Sequence, residues 1–435
     1  MKKYLFISVL ALTLSFNLKA QTWFPLGNNW NLGITAMDTL GGDIYASGDT
    51  WCNDTTTLHN CYSYMKGWNG AKWDTLLTFG GLPPDVNTIT AYNDSIYFSG
   101  GFSSGVYKLT GKTVVTIDGN ADVAVLLPFS GSLCSGGQFT SIDGVSANSI
   151  ALWNGTTWSP LGKGINNTVY SLTVYSGKLV AGGTFDSAGG IHANNIAIWN
   201  GTTWDSIGHG LNGIVNVLTT YNGNLYVGGI FDSAGGVSAN NIAEWNGTTW
   251  LPLGAGISGI YGVNAFTIYN SNLIIGGMFD SAGGKPANNI AQWNGTSWNT
   301  IGNGVNGGVR ALTVYDSFLC AAGFFDSAGG KPITDIAGWC ISCPAGVNEL
   351  HAESEKVKVY PNPNNGQFFI NSSSLPGTKQ SLQVYSMLGQ KIFTQYILPN
   401  TQNSVDLSSQ PAGIYLYRIT SEKGELVGSG KLVIE

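Results

Sequence analysis

The sequence predicts an all-β protein on three observations. The phrase Asn-Ile-Ala-x-Trp-Asn-Gly-Thr-Thr-Trp recurs with small changes at residues 149–158, 195–204, 241–250 and 289–298. A second phrase, Gly-x-Leu-x-x-Gly-Gly-x-Phe-Asp-Ser-Ala-Gly-Gly, alternates with it, also with small changes, at 177–190, 223–236, 271–284 and 317–330. Glycine supplies 61 of 435 residues and charged residues only 10%, against ordinary shares of about 7% and about 25%. A disordered chain would be poor in aromatics and rich in charge, the opposite of this composition.

Residues 1–20 read as a signal peptide. Lys2 and Lys3 form its charged start, residues 5–16 its apolar core, and Ala20 a cleavage residue. That core is too short to cross about 30 Å of hydrocarbon. No other stretch approaches that length, so the mature chain is expected to be exported and to carry no transmembrane segment.

Residues 21–343 are the repeating part. Each full unit holds four candidate strands: a Val-x-x-Leu-x-x-Tyr run, Leu-Tyr-Val-Gly-Gly, Ile-Ala-x-Trp, and Thr-Trp-x-x-Leu-Gly. Apolar stretches on either side of Asn-Gly predict a hairpin with a type I′ turn between the last two strands. The first Trp of successive hairpins, Trp153, Trp199, Trp245, Trp293 and Trp339, recurs at intervals of 46, 46, 48 and 46 residues. A period of that size means an array of small sheets. Its two ends are complementary halves, an isolated fourth strand around Trp23 and an isolated third strand ending at Trp339. A lone unit cannot cover the two faces of its sheet, whereas a ring of units buries every face. Seven copies of the Leu-x-x-Gly-Gly strand, with the two halves pairing to close the ring, predict a seven-bladed β-propeller. The Gly-Gly pair fits a place where neighbouring backbones crowd. The unit resembles a kelch-type or galactose-oxidase-central-domain blade, and the repeats of fungal cell-polarity surface proteins. That resemblance implies the fold and little about activity.

Residues 344–356 read as a linker. After it come Val357-Lys-Val-Tyr-Pro-Asn-Pro363, a Leu-Gly-Gln-Lys turn, Gly-Ile-Tyr and a last strand. By pattern, residues 357–435 are a small immunoglobulin-like β-sandwich. They resemble the type A C-terminal sorting domain of the type IX secretion system, through Tyr360, Pro361, Asn362, Pro363, Gly389, Gly413 and Tyr415. The resemblance implies a Gram-negative source, the type IX machinery as a partner, and passage through the periplasm to the outer surface or beyond.

An oxidising destination makes Cys52 with Cys61, and Cys340 with Cys343, disulfide candidates. Cys134 and Cys320 sit in apolar strand patterns and read as buried small hydrophobes. A net charge of −6 leaves no basic footprint for nucleic acid. The four His share no register in the repeat, and no catalytic or metal-ligating set emerges, so no cofactor is expected. The recurring Asp186, Asp232, Asp280 and Asp326 read as strand-ending residues that bond the backbone of the following turn. Calcium held by these carboxylates with Asn194 or Asn240 is the alternative. The Ser in Asp-Ser-Ala resembles an O-glycosylation site of the phylum that uses type IX secretion, which makes Ser187, Ser233, Ser281 and Ser327 glycan candidates. Asn-Gly-Thr at Asn154, Asn200, Asn246 and Asn294 is better explained by the turn. Trp51, Tyr62 and Tyr64 cluster in an insertion of the first unit where no core strand is predicted, and are ligand-binding candidates.

The leading expectation is a secreted or surface-attached propeller that binds or adheres to a glycan or protein partner. The alternatives are a secreted carbohydrate-active enzyme, lyase or hydrolase, and a structural surface component. Two close carboxylates in a central pocket would favour the enzyme.

Overall fold

The computed structural model describes residues 20–27, 30, 33–52, 61–70, 72–80, 86–100, 104–259, 261–343, 357–372, 379–386, 391–399, 401–421 and 426–435. Residues 1–19 and 344–356, which hold most of the expected signal peptide and the linker, lie outside that set. The chain divides into two compact units, one spanning Lys19–Cys343 and one containing Pro344–Glu435.

Among the described residues, the first unit holds seven four-stranded antiparallel sheets. The fourth repeat illustrates the pattern: Val169–Tyr175, Lys178–Gly183, Ile196–Trp199 and Trp204–Ser206 pair in that order. The first strand of each sheet lies against the first strand of the next, and the seventh lies against the first. The seventh sheet is completed by Ala20–Pro25, which pairs with Ile336–Cys343 and sets Trp23 opposite Trp339.

The Trp pairs explain why every unit repeats this arrangement. Trp153 faces Trp158, Trp199 faces Trp204, and the register persists where the second unit substitutes Leu109 and Val114. Trp23 and Trp339 stand 5.3 Å apart between ring centroids, matching the 5.4 Å of Trp153 and Trp158 within one hairpin. Burying an indole withdraws on the order of 200 Å², which at ~25 cal/mol per Å² is worth roughly 5 kcal/mol as an upper bound. The outer-strand indole also ties sheet to sheet. Trp204 Nε1 donates to Leu161 O at 3.1 Å, and Trp298 Nε1 to Leu253 O at 2.8 Å. The same bond spans the closure, from Trp23 to Ile301 O and from Trp73 to Leu26 O.

The Gly-Gly pair sits where sheets press together. A Cβ on Gly182 would meet Val215 Cγ1 of the next sheet at 2.3 Å, and one on Gly183 would meet Thr168 O at 2.0 Å. The apolar clusters accordingly run between sheets: Val180 and Ile196 pack with Val215, Leu225 and Trp250 of the following unit.

One turn assignment differs from the sequence expectation. The Asn-Gly pairs of the recurring phrase are not type I′ turns. Trp153 pairs directly with Trp158, leaving a four-residue loop in which Gly155 has positive φ and Asn154 does not. Asn154 Oδ1 instead accepts from the backbone of Thr156 and Thr157, both at 2.9 Å. Two-residue turns with positive φ at both positions join the first and second strands of all seven sheets, as at Ser176-Gly177 and Asn222-Gly223. A further hairpin, also unforeseen, folds the Ser-Ala-Gly-Gly segment, with Ser187–Ala188 pairing Ile191–His192.

The C-terminal unit has a three-stranded sheet, Val357–Tyr360, Gln367–Ser372 and Asn403–Asp406, and a four-stranded one of Lys391–Ile397, Gln380–Ser386, Gly413–Ser421 and Leu426–Ile434. Phe368 and Val405 from the first share a core with Leu382, Ile419 and Leu432 from the second.

Candidate functional site

The same irregularity recurs in all seven sheets. One residue after the aliphatic that opens the first strand, the ladder with the second strand shifts register. The extra residue is Thr35, Asn87, Ala124, Tyr170, Asn216, Asn264 or Arg310. A bulge leaves its residue out of the ladder and re-aims the side chain. All seven of these residues line one cavity of about 610 Å³, together with Val86, Asp122, Gln138, Thr168 and Phe324. Since every first strand contributes, the cavity lies on the axis of the ring, at the end where these strands begin.

The lining is mostly neutral and polar. Thr35 Oγ1 donates to Val86 O at 3.0 Å, Asn87 Nδ2 to Val123 O at 3.0 Å, and Asn216 Nδ2 to Val263 O at 3.1 Å. Each bond reaches the next unit, so the mouth is also a belt of inter-sheet hydrogen bonds. Asn216 Nδ2 stands 3.3 Å from Asn264 Oδ1, which joins two amides side by side. Arg310 is exposed, with its guanidinium 5.8 Å from the centre of the Phe324 ring. Asp122 is the one carboxylate among the described lining residues. Sequence reading passed over these residues. The signal was the Val-x-x-Leu spacing: side chains three apart face the same way on a strand only if a bulge lies between them.

The residues singled out from sequence lie elsewhere. Ser187, Ser233, Ser281 and Ser327 are half-buried at the start of the short hairpins. The Asp residues before them bond a side chain rather than the turn. Asn166 Nδ2 donates to Asp186 Oδ1 at 2.6 Å, while Asn166 Oδ1 accepts from the amides of Asp186 and Ser187. Asn212 with Asp232, and Asn306 with Asp326, repeat this clamp. Asp280 lacks it, because Ser258 stands where the other units have Asn, and the Asp280 amide donates to Ser258 O. The Asn194 and Asn240 side chains donate to His209 O and Ala255 O. Among the described residues, no group of three or more His, Cys, Asp or Glu could hold a metal.

Trp51, Tyr62 and Tyr64 do not sit in an irregular insertion. Asp43–Cys52 and Cys61–Trp68 continue as strands, with Trp51 opposite Tyr62 and Cys52 opposite Cys61. The side chains of Trp51, Cys52, Cys61 and Tyr62 lie outside the described residues. Tyr64 is half-buried beneath Lys66, whose Nζ stands 5.5 Å from its ring and 4.4 Å from that of Trp30. Burial holds the Lys66 pKa below its usual value. Cys340 is disulfide-bonded, and the Cys343 side chain lies outside the described residues. Cys134 and Cys320 are buried free thiols, whose pKa values burial pushes well above the usual range.

In the C-terminal unit, the sorting motif lies along the last strand. Asn362 Nδ2 donates to Lys431 O at 2.9 Å and its Oδ1 accepts from Val433 N at 2.8 Å, so its amide substitutes for a strand residue. The flanking Tyr360–Pro361 and Asn362–Pro363 bonds are cis. Tyr415, two residues after Gly413 at the head of its strand, donates its hydroxyl to Pro411 O at 2.7 Å. Gly389 lies outside the described residues.

Comparison with known proteins gives that unit its class. Residues 358–435 match the family of secretion system C-terminal sorting domains. This domain marks proteins exported by type IX secretion to the cell surface or the extracellular space, so the type IX machinery is a partner of this chain. No curated protein matches the chain. Among solved structures, it is similar to Hsv2 of Kluyvelomyces marxianus at 9% identity, over 86% of this chain and 99% of that one, with a TM-score of 0.35. A mutant Trypanosoma rangeli sialidase displaying trans-sialidase activity is similar at 9% identity, over 95% and 90%, with a TM-score of 0.32. A family 43 arabinoxylan arabinofuranohydrolase of Bacillus subtilis is similar at 12% identity, over 92% and 94%, with a TM-score of 0.26.

Proposed function

We propose that this protein is an exported seven-bladed β-propeller with an immunoglobulin-like sorting sandwich, and that it acts as a binding or adhesion module. Its ligand, a glycan or a protein, enters the mouth lined by the seven bulge residues. One observation carries the reading. A single structural position, repeated seven times, holds Thr, Asn, Ala, Tyr, Asn, Asn and Arg, while the fold around it does not change. A hydrolase of the common two-carboxylate type needs a second acid beside the first, and among the described residues of this lining Asp122 has none. Amides, hydroxyls and one guanidinium suit recognition by hydrogen bonds.

The full chain, applied to glycan and host-protein arrays beside an assay for polysaccharide breakdown, tests the proposal. Retention that falls on Asn264→Ala, with no release of sugar ends, supports binding. Turnover abolished by Asp122→Asn contradicts it and makes the protein an enzyme. We also propose a disulfide between Cys52 and Cys61, because directly opposed strand residues have Cα separations of about 4.5–5.5 Å, within disulfide reach. O-glycans on Ser187 and its three counterparts remain part of the reading, and intact mass of the secreted protein measures both modifications.

A further inference from the structure

We infer that the sector of the mouth formed by the fifth to seventh sheets docks a polypeptide segment presenting a carboxylate beside apolar side chains. The inference rests on reading the mouth as a binding site, and it names the ligand class.

Gln138 and Phe324, each the residue after the last glycine of its second strand, line the cavity, and that repeat position marks the rim. In the third and fourth sheets it is Gln138 and Thr184; in the fifth to seventh it is Ile230, Met278 and Phe324. These three are 37%, 41% and 39% exposed, large values for apolar side chains on a regular scaffold. Each lies over the glycine that leads into the next sheet. A Cβ on Gly262 would stand 3.3 Å from Ile230 Cγ1, one on Gly308 3.2 Å from Met278 Cε, and one on Gly33 2.0 Å from Phe324 Cδ1. The three side chains thus step around the mouth as one arc. The repeat with the 48-residue spacing carries its two extra residues in the loop entering the sixth sheet, where Tyr261 is 55% exposed.

Among the described lining residues Arg310 is the single cation, beside Phe324 at the end of the arc. Aromatics, Met and Arg with no Lys or Glu is the composition of a protein–protein interface core. Ile230 and Met278, unlike Phe324, offer sugars no flat aromatic face to stack on, and Met adapts to varied side chains. One guanidinium on a chain of net charge −6 selects a local carboxylate rather than an extended polyanion. The neighbouring Asn264 amide can bond a peptide backbone.

The test immobilises short synthetic peptides in which one Glu or Asp is flanked by Leu or Phe, their Gln or Asn twins, and a panel of acidic and neutral oligosaccharides. The full chain is applied, with thermal melts confirming that each variant folds. The acidic peptides should be retained on the order of tenfold better than their amide twins, the scale of one charge-assisted contact. Arg310→Gln should erase that difference and Arg310→Lys restore part of it. Met278→Ser should weaken both twins alike. Equal binding of the twins, or a preference that survives Arg310→Gln, overturns the inference. Retention of oligosaccharides alone, lost on Asn264→Ala, overturns it while leaving the mouth a binding site. No retention of either class overturns both readings.

Discussion

The two ends of the first strand differ in what constrains them. At one end, all seven sheets turn in two residues with positive φ, and five of those fourteen positions are Gly, the rest Asn, Asp or Ser. At the other end, a bulge of constant geometry accepts Thr, Asn, Ala, Tyr or Arg. Backbone conformation dictates the residue at the turn. At the mouth it dictates only that a side chain point inward, leaving its chemistry open. Within one chain, a position that varies while its geometry repeats is where a site can be placed without cost to the fold.

Substitutions at the two kinds of position should therefore separate. The largest loss is expected where sheets press together. Gly182→Val puts methyl groups where even a Cβ would meet Val215 at 2.3 Å, and should cost about 3 kcal/mol or more; an unchanged denaturation midpoint would mean the sheets do not pack as described. At the turn, Gly223→Ala, with φ of 81°, should cost about 1–2 kcal/mol, measured by thermal unfolding. The clamp comes next. Asn212→Ala removes the bonds to Asp232 and Ser233 and should cost about 1 kcal/mol, whereas Ser258→Ala in the unit without a clamp should cost less.

The smallest expected effect is a pH dependence. Burial raises the Asp38 pKa above 3.8, opposed by the amides of Thr39 and Ala91. A carboxyl raised in the folded state binds its proton more tightly there than in the unfolded chain. Its contribution is fully present below the unfolded pKa and is lost as pH rises through the folded one. The stability of the parent relative to Asp38→Asn should therefore increase as pH falls from neutrality toward 4, read from paired melts.

Much of this was legible in the sequence. The Trp pairs, the closing strand and the crowded Gly-Gly positions follow from a period that repeats large apolar side chains at fixed spacing. The turn was misplaced because Asn-Gly signals type I′ only in a two-residue loop, and Trp153 to Trp158 encloses four. The site was missed because strands were read as strictly alternating. Val169 and Leu172 are both buried although three apart, which alternation forbids and a bulge at Tyr170 allows. The Asn166–Asp186 clamp was invisible because its partners meet only after the incoming loop folds across the short hairpin.

The most direct measurement compares two triple variants for melting midpoint and ligand retention. Asn216→Ala/Asn264→Ala/Arg310→Ala should stay within a few degrees of the parent, since each exposed or half-buried bond lost is worth about 1 kcal/mol, and should retain no ligand. Gly131→Ala/Gly177→Ala/Gly223→Ala should melt several degrees lower and, while folded, bind as the parent does. A mouth variant that unfolds, or that binds unimpaired, would contradict the claim that the bulge residues serve recognition and the turns serve the fold.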